Sequence, residues 1–333
     1  MTNTISERAM LATVHISVWT ARKHDRAISK EVADNHGAHE RAGRYHKRLF
    51  VYAEKLDNIQ TIANRVRAMF YKYSLPWSDE GFRILPKEVY FEFTEALAKE
   101  KSLFWEAVNS FLDSYPSYIA AAREQQGTMF RESDYPPSTA VRKKFDLQFK
   151  VNPLPAGNDF RVELSEAHKA LICEQIDADV RATIGAASRD LFNRAYEVVG
   201  HMASRLGDPD AIFRNTTVSN VAELADLLPR LNITKDPQLD RLAQEIKQHL
   251  CVYGANMLRE SKVLRNSTAA KAHDIAQRIS RAMDGEIAMG VDAVPTAPAV
   301  VAKPPASAAE VNASTVDSIM QQMLPYMPVA PAA

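Results

Sequence analysis

Cysteine is nearly absent from the chain: there are two in 333 residues, Cys173 and Cys251. Two thiols so far apart make neither a disulfide framework nor a metal-ligand set, and both fall within helical patterns where a thiol reads as a small core side chain. Glycine is also scarce, at eleven. None of the glycine motifs GxxxxGK[ST], GxGxxG or GxSxG occurs, so the sequence carries no phosphate loop, dinucleotide fingerprint or nucleophile elbow. No run approaches the ~18 consecutive apolar residues of a membrane span. The opening residues, Met1 to Arg8, lack the basic-then-apolar pattern of a secretory leader. A cytoplasmic chain with no membrane partner is the expectation. Charge of one sign is missing too, with 41 Lys+Arg against 41 Asp+Glu. That balance excludes proteins that hold nucleic acid by bulk charge.

What is present is helical periodicity. Residues 13–20 (TVHISVWT) alternate Val14, Ile16 and Val18 against His15, Ser17 and Trp19, the period of a strand. A helix is expected from Ala21 to about Asn35, and a second from about Glu40 to Tyr73, with Leu49, Ala53, Leu56, Val66 and Phe70 near one face. Pro86 opens a helix to about Gln126 that repeats Val89, Phe93, Leu97, Phe104, Val108, Phe111 and Tyr115 at helical spacing. Two strand candidates follow, 145–151 and 160–164, separated by turn residues that suggest a hairpin. Ser165 then caps the longest helical pattern, 166–206, whose stripe runs from Ile172 to Leu206 over roughly 60 Å. Such a stripe needs a partner along its length, either the 87–126 helix or another subunit in a coiled coil. Shorter helices are expected near 218–228, 237–250 and 267–283.

The fold class is therefore α+β and predominantly α-helical, with long antiparallel helices, a small antiparallel sheet from 13–20, 145–151 and 160–164, and a flexible C-terminal tail. Three regions are expected. Residues 1–283 form the body. Residues 284–312 are a Pro/Ala-rich linker too poor in large apolar groups to offset its ordering entropy. Residues 313–333 hold a short amphipathic island in which Val316, Ile319, Met320, Met323, Leu324 and Met327 share one face. A methionine-rich island on a tether has the character of a peptide that docks in a partner groove, the alternative being a helix folded back on its own core.

Two further clusters carry chemistry. Between residues 22 and 48 eight cations face four anions: Arg22, Lys23, Arg26, Lys30, Arg41, Arg44, Lys47 and Arg48 against Asp25, Glu31, Asp34 and Glu40. With the basic turn Arg142-Lys143-Lys144 this patch is a candidate for phosphate contact, against the alternative of a solvated helix face. His36, His39 and Glu40 lack the spacing of a zinc-protease helix and read as polar loop residues. Acid pairs such as Glu163 and Glu166, or Asp177 and Asp179, have no neighbours that would tune them for catalysis. No catalytic, cofactor or metal site is expected.

Residues 15–32, HISVWTARKHDRAISKEV, resemble the ISxWxxRK opening of a phage and bacterial family called domain of unknown function 3150. Residues 218–246 are similar to its later block, in which LPxLNxTxDPxL joins two helices, with Asn232, Asp236 and Pro237 at the connector. The resemblance covers about residues 11–250. It implies a phage or mobile-element protein in the host cytoplasm, encoded in some genomes beside MoxR-type ATPases, and it supplies no catalytic residues. On that basis a non-enzymatic protein acting through protein–protein interaction is expected, its partner a host factor or a phage ATPase; the long 166–206 stripe adds a homo-oligomer as an alternative partner. Binding of nucleic acid through the basic N-terminal patch is the alternative. Zero net charge conceals an asymmetry that serves either reading. Residues 284–333 hold five acids and one base, which leaves the body mildly basic.

Overall fold

The structure, a computed structural model, describes residues 5–78, 81–156, 162 and 164–285. Among these it is an α+β fold, mostly helical, with one four-stranded antiparallel sheet and one two-stranded ribbon. The segments 284–312 and 313–333, and with them the docking residues from Val316 to Met327, lie outside the described residues apart from Asp284 and Gly285.

Strand β1 (Ala9–Ser17) is central in the sheet. It pairs on one side with β6 (Asp146–Asn152), from Leu11↔Asn152 to Ser17↔Asp146. On the other it pairs with β5 (Arg83–Pro86), from Ala9↔Pro86 to Ala12↔Arg83, and β5 pairs with the two-residue β4 (Leu75–Pro76). The expected strand at 13–20 thus begins four residues early, because β5 recruits Ala9 to Ala12. It ends at Ser17 because its partner β6 ends there. Past it, Trp19 leaves the sheet and meets Phe50, Phe111 and Tyr115 edge-on at 6.0, 6.4 and 6.1 Å between ring centroids, a favoured aromatic geometry. Pairing of β1 with β6 across more than a hundred residues follows the expectation. Of the expected hairpin partner at 160–164, residues 160, 161 and 163 lie outside the described residues, and Val162 and Leu164 are not in a strand.

Residues 22–53 depart most from the sequence expectation. In place of one helix from 21 and another from 40, strand β2 (Arg22–His24) leads into helix α1 (Arg26–Asn35), and strand β3 (His46–Arg48) returns antiparallel to β2. Helix α2 begins only at Glu54 and runs to Tyr73. Leu49 and Ala53 are buried, as their phase suggested, but in a loop: the Leu49 N–H donates to Ala21 O at 2.8 Å and ties the chain back to the ribbon. Helical phase and core burial coincide there without a helix.

Helix α3 (Lys87–Gln126) lies antiparallel to α2 and continues through Pro116. Its seven anticipated apolar positions are all buried. Full burial of Phe93, Phe104 and Phe111 contributes about 2–3 kcal/mol each by area. Two single turns and the short helix α4 (Ser138–Arg142) lead to β6. Helix α5 (Glu166–Gly207) starts at Ser165, whose hydroxyl accepts the His168 N–H. Within the chain it pairs not with α3, one of the two alternatives read from the stripe, but with the last helix, α9 (Lys262–Met283), with α6 (Asn215–Leu231) beside it. Arg265 at the start of α9 locks that pairing by donating to the carbonyls of Leu206 at 3.0 Å and Arg205 at 3.3 Å, which the end of α5 leaves unpaired.

Helices α6 and α7 (Pro237–Leu250) meet at the connector noted in the sequence, and short α8 (Ala255–Glu260) leads on to α9. Asn232 organises the α6–α7 junction. Its amide donates to Asp236 O at 2.8 Å and to Asp240 Oδ1 at 3.1 Å, and its Oδ1 accepts the Asp236 N–H at 2.9 Å. Asp236 then caps α7 through the Gln238 N–H, with Pro237 in the first turn. Lys235 carries the turn at φ +58, a conformation sustained by these bonds. The two halves of the body are clasped by Arg194 of α5, which donates to Ser74 O at 2.7 Å, and by the Arg230–Glu92 ion pair at 2.6 Å.

Candidate nucleic-acid interface

In a two-stranded ribbon, residues directly opposite share a face and successive residues alternate. The register Arg22↔Arg48, Lys23↔Lys47, His24↔His46 therefore puts Lys23 and Lys47 on one face and the other four on the opposite face. All six residues are basic or imidazole. Like charges directly opposite destabilise a strand pair, so the ribbon needs compensation.

Compensation comes from beneath. Lys47 is 3% exposed and its ammonium lies 2.6 Å from Asp134 Oδ2, 3.5 Å from Asp25 Oδ2 and 2.6 Å from Met129 O. Lys23 reaches the other oxygen of Asp134 at 2.6 Å. Asp25 also caps α1, accepting the N–H groups of Ala27 and Ile28, and Arg131 stands 3.8 Å away. Burial alone raises the pKa of both acids. The Ile28 N–H, Arg131 and Lys47 outweigh it at Asp25, as Lys23 and Lys47 do at Asp134, so both carboxyls fall below their ordinary range. Gln126 fastens the ribbon to the end of α3 by donating to the carbonyls of Arg48 and Leu49, both at 2.8 Å.

The outward face has no such neutralisation. Arg22, His46 and Arg48 are exposed and His24 is half-buried. The two imidazoles stand 5.3 Å apart, with His24 held by the Ser29 hydroxyl at 3.1 Å. That hydroxyl also accepts the Tyr45 N–H, which fixes the chain just after Arg44. Among the described residues, no carboxylate lies within ion-pair distance of Arg22, Arg26, Arg41, Arg44 or Arg48. Arg22 and Arg48 edge a cavity of ≈ 150 Å³ above Phe50 and Leu56, with Asp57 in its wall. Ala21 precedes the ribbon at φ +47, a strained conformation held by the Leu49 bond.

The structure thus sorts the eleven basic residues singled out in the sequence. Lys47 is a correction: it lies inside, its charge spent on Asp25 and Asp134, and it meets no ligand. Lys23 is exposed but paired. Arg142 is held by Asn109 Oδ1 at 2.6 Å and lies over the Trp105 ring, and Lys144 lies over Trp19, so the basic turn belongs to the α3 surface and not to the ribbon. Lys143 is exposed beside them. Arg22 and Arg48 remain on the ribbon, Arg26 and Lys30 on α1, and Arg41 and Arg44 in the loop that follows it. Sequence spacing missed Asp134, which neutralises the inner face from 109 residues past Asp25, and it missed the cap at Asp25, which the helix expected from Ala21 placed in its interior.

His39 accepts the Arg41 N–H within the loop. Among the described residues no group of three or more His, Cys, Asp or Glu is placed to hold a metal ion, and no helix is long and apolar enough to cross a membrane. No protein-family model, curated protein or solved structure matches the chain.

Proposed function

We propose that this chain is a non-enzymatic protein that contacts nucleic-acid phosphates through the outward face of its β2–β3 ribbon. One observation carries the reading. The ribbon neutralises its inner lysines with buried acids, yet leaves Arg22 and Arg48 opposed on its outer face without an ion-paired carboxylate among the described residues. Two-stranded ribbons have the width to enter a major groove, and phosphate oxygens are the counter-charges such a face lacks. Contacts of this kind are non-specific, set by the backbone, and steeply salt-dependent. The family resemblance at residues 15–32 and 218–246 supports a phage-encoded protein working in the host cytoplasm.

Fluorescence anisotropy on single- and double-stranded DNA at low salt tests it. Binding in the range of about 1–100 μM is expected, with R22Q/R48Q lowering the slope of log K against log salt by about two. No binding at low salt, or an unchanged slope in the double variant, would refute it.

A second reading, an adaptor for a MoxR-type ATPase or a host factor, is favoured by the start of α5. No side chain from Glu166 to Asp179 is buried, and Leu171 is 65% exposed beside the half-buried Ile172 and Ile176. Here the test is deletion of residues 313–333. Lost capture of the ATPase at an unchanged melting temperature supports the adaptor, whereas a lowered melting temperature means the segment packs on its own body.

A further inference from the structure

A second site lies on the far side of the sheet's central strand. Beyond Ala12, β5 has turned away from β1, so residues 13–17 are paired on the β6 side only. The gap is closed by the last two turns of α2 and by Pro76, Trp77, Ser78 and Gly81, leaving a cleft of ≈ 590 Å³. That size is typical of small-ligand sites.

Its lining is cationic and aromatic. Arg67, Arg83 and His15 face it with Thr13, Tyr71 and Trp77, and no carboxylate lines it among the described residues. Arg83 is held rigidly: its Nε donates to Ser74 Oγ at 2.7 Å, its Nη2 to Ser74 O at 3.2 Å, and its guanidinium stacks 4.4 Å over the Tyr71 ring. Burial disfavours its charge, and Arg194 behind it adds repulsion that Asp190 only partly offsets. Arg67 donates to Asn64 Oδ1 at 3.0 Å and to Ile16 O at 3.4 Å, so it too is oriented by neutral groups. Two fixed, half-buried guanidinium groups without an ion-paired carboxylate among the described residues form a site short of an anion.

We infer that the cleft binds a nucleotide, its phosphates between Arg67 and Arg83 and its base against Trp77. Arginine forks match phosphate oxygens in pairs. A planar ring falls to Trp77 because Arg83 already occupies a face of Tyr71. The site is separate from the ribbon and does not rest on nucleic-acid binding there.

Isothermal titration of the full chain with ATP, AMP and inorganic pyrophosphate tests the assignment. ATP binds more tightly than pyrophosphate. R67Q weakens ATP by about tenfold, the loss expected for one charge-assisted contact. W77A brings ATP down to the affinity of pyrophosphate, and R22Q/R48Q changes nothing. Arg67 is substituted in preference to Arg83 because it bridges no buried backbone at Ser74, and circular dichroism checks that each variant folds. Asp79 and Glu80, between Ser78 and Gly81, lie outside the described residues, so D79N/E80Q is titrated in parallel. Absence of binding in both chains, binding only in D79N/E80Q, equal affinity for ATP and pyrophosphate in the native chain, or an unchanged affinity in R67Q would each overturn the inference.

Discussion

Lys47→Met separates the structural role of the ribbon's inner face from the binding role of its outer one. The side chain keeps its length and loses its charge, leaving Asp25 and Asp134, 3% and 7% exposed, without their shared cation. Removing one member of a buried ion group typically costs about 3–5 kcal/mol, because the remaining charge stays desolvated. The structure argues for the lower end, about 3 kcal/mol. Asp134 keeps Lys23 at 2.6 Å, whose side chain is 48% exposed and brings solvent with it, and Asp25 keeps its two backbone N–H donors. Urea unfolding at neutral pH measures the global loss. Hydrogen exchange at residues 22–24 and 46–48 measures whether the ribbon opens first, as expected of a module held at its edge. Adding D134N to K47M should recover part of the loss, since it removes the orphaned charge. A loss below about 1 kcal/mol, the worth of an exposed pair, with unchanged exchange in both strands, would refute the view that this cluster holds the ribbon together.

Asn232→Ala should cost about 2–3 kcal/mol, since it breaks the side-chain bonds that set the α6–α7 turn and leaves the buried Asp236 N–H unpaired. Thermal unfolding reads it, and a shift no larger than that of an exposed alanine substitution would count against the connector's role. Acid lability has a definite sign. Asp25 and Asp134 fall below 3.8, and Glu92, bound by the Tyr73 hydroxyl and Arg230, falls below 4.5. Lowered carboxyl pKa values contribute stability that is fully present above the unfolded values and lost as pH drops through the folded ones. The urea midpoint should therefore fall below about pH 4, and D25N/D134N should flatten that fall. An identical acid profile in the double variant would sink the assignment.

Much of the helical body was legible because its apolar stripes are long and regular. The buried positions of α3 and the Ser165 cap of α5 can be read directly from spacing. The partner of α5 could not be, since a stripe reports that something covers it and not which helix. Strands β4 and β5 are too short to show alternation, and β5 exists because β1 offers it an edge. The ribbon was hidden for a different reason. Its strands read RKH and HKR, with no apolar residue in either. Their buried face is ionic, so a search for hydrophobic periodicity passes over it and extends the helical phase of Leu56 back through Ala53 and Leu49. The basic composition of residues 22–48 was legible, but which cations are spent inside depended on Asp134, a contact that no local pattern encodes.

The central position of β1 also bears on how the chain is made. Of the strands in its sheet a ribosome delivers this one first, yet its neighbours arrive about seventy and one hundred and forty residues later. Until Pro86 has emerged the first strand has both edges open, and until Asn152 has emerged its β6 edge stays open, so helices α2 and α3 must form with their sheet unfinished. Non-local pairing of this kind slows folding and prolongs exposure of apolar surface. The nascent chain should accordingly depend on chaperones until Asn152 has emerged.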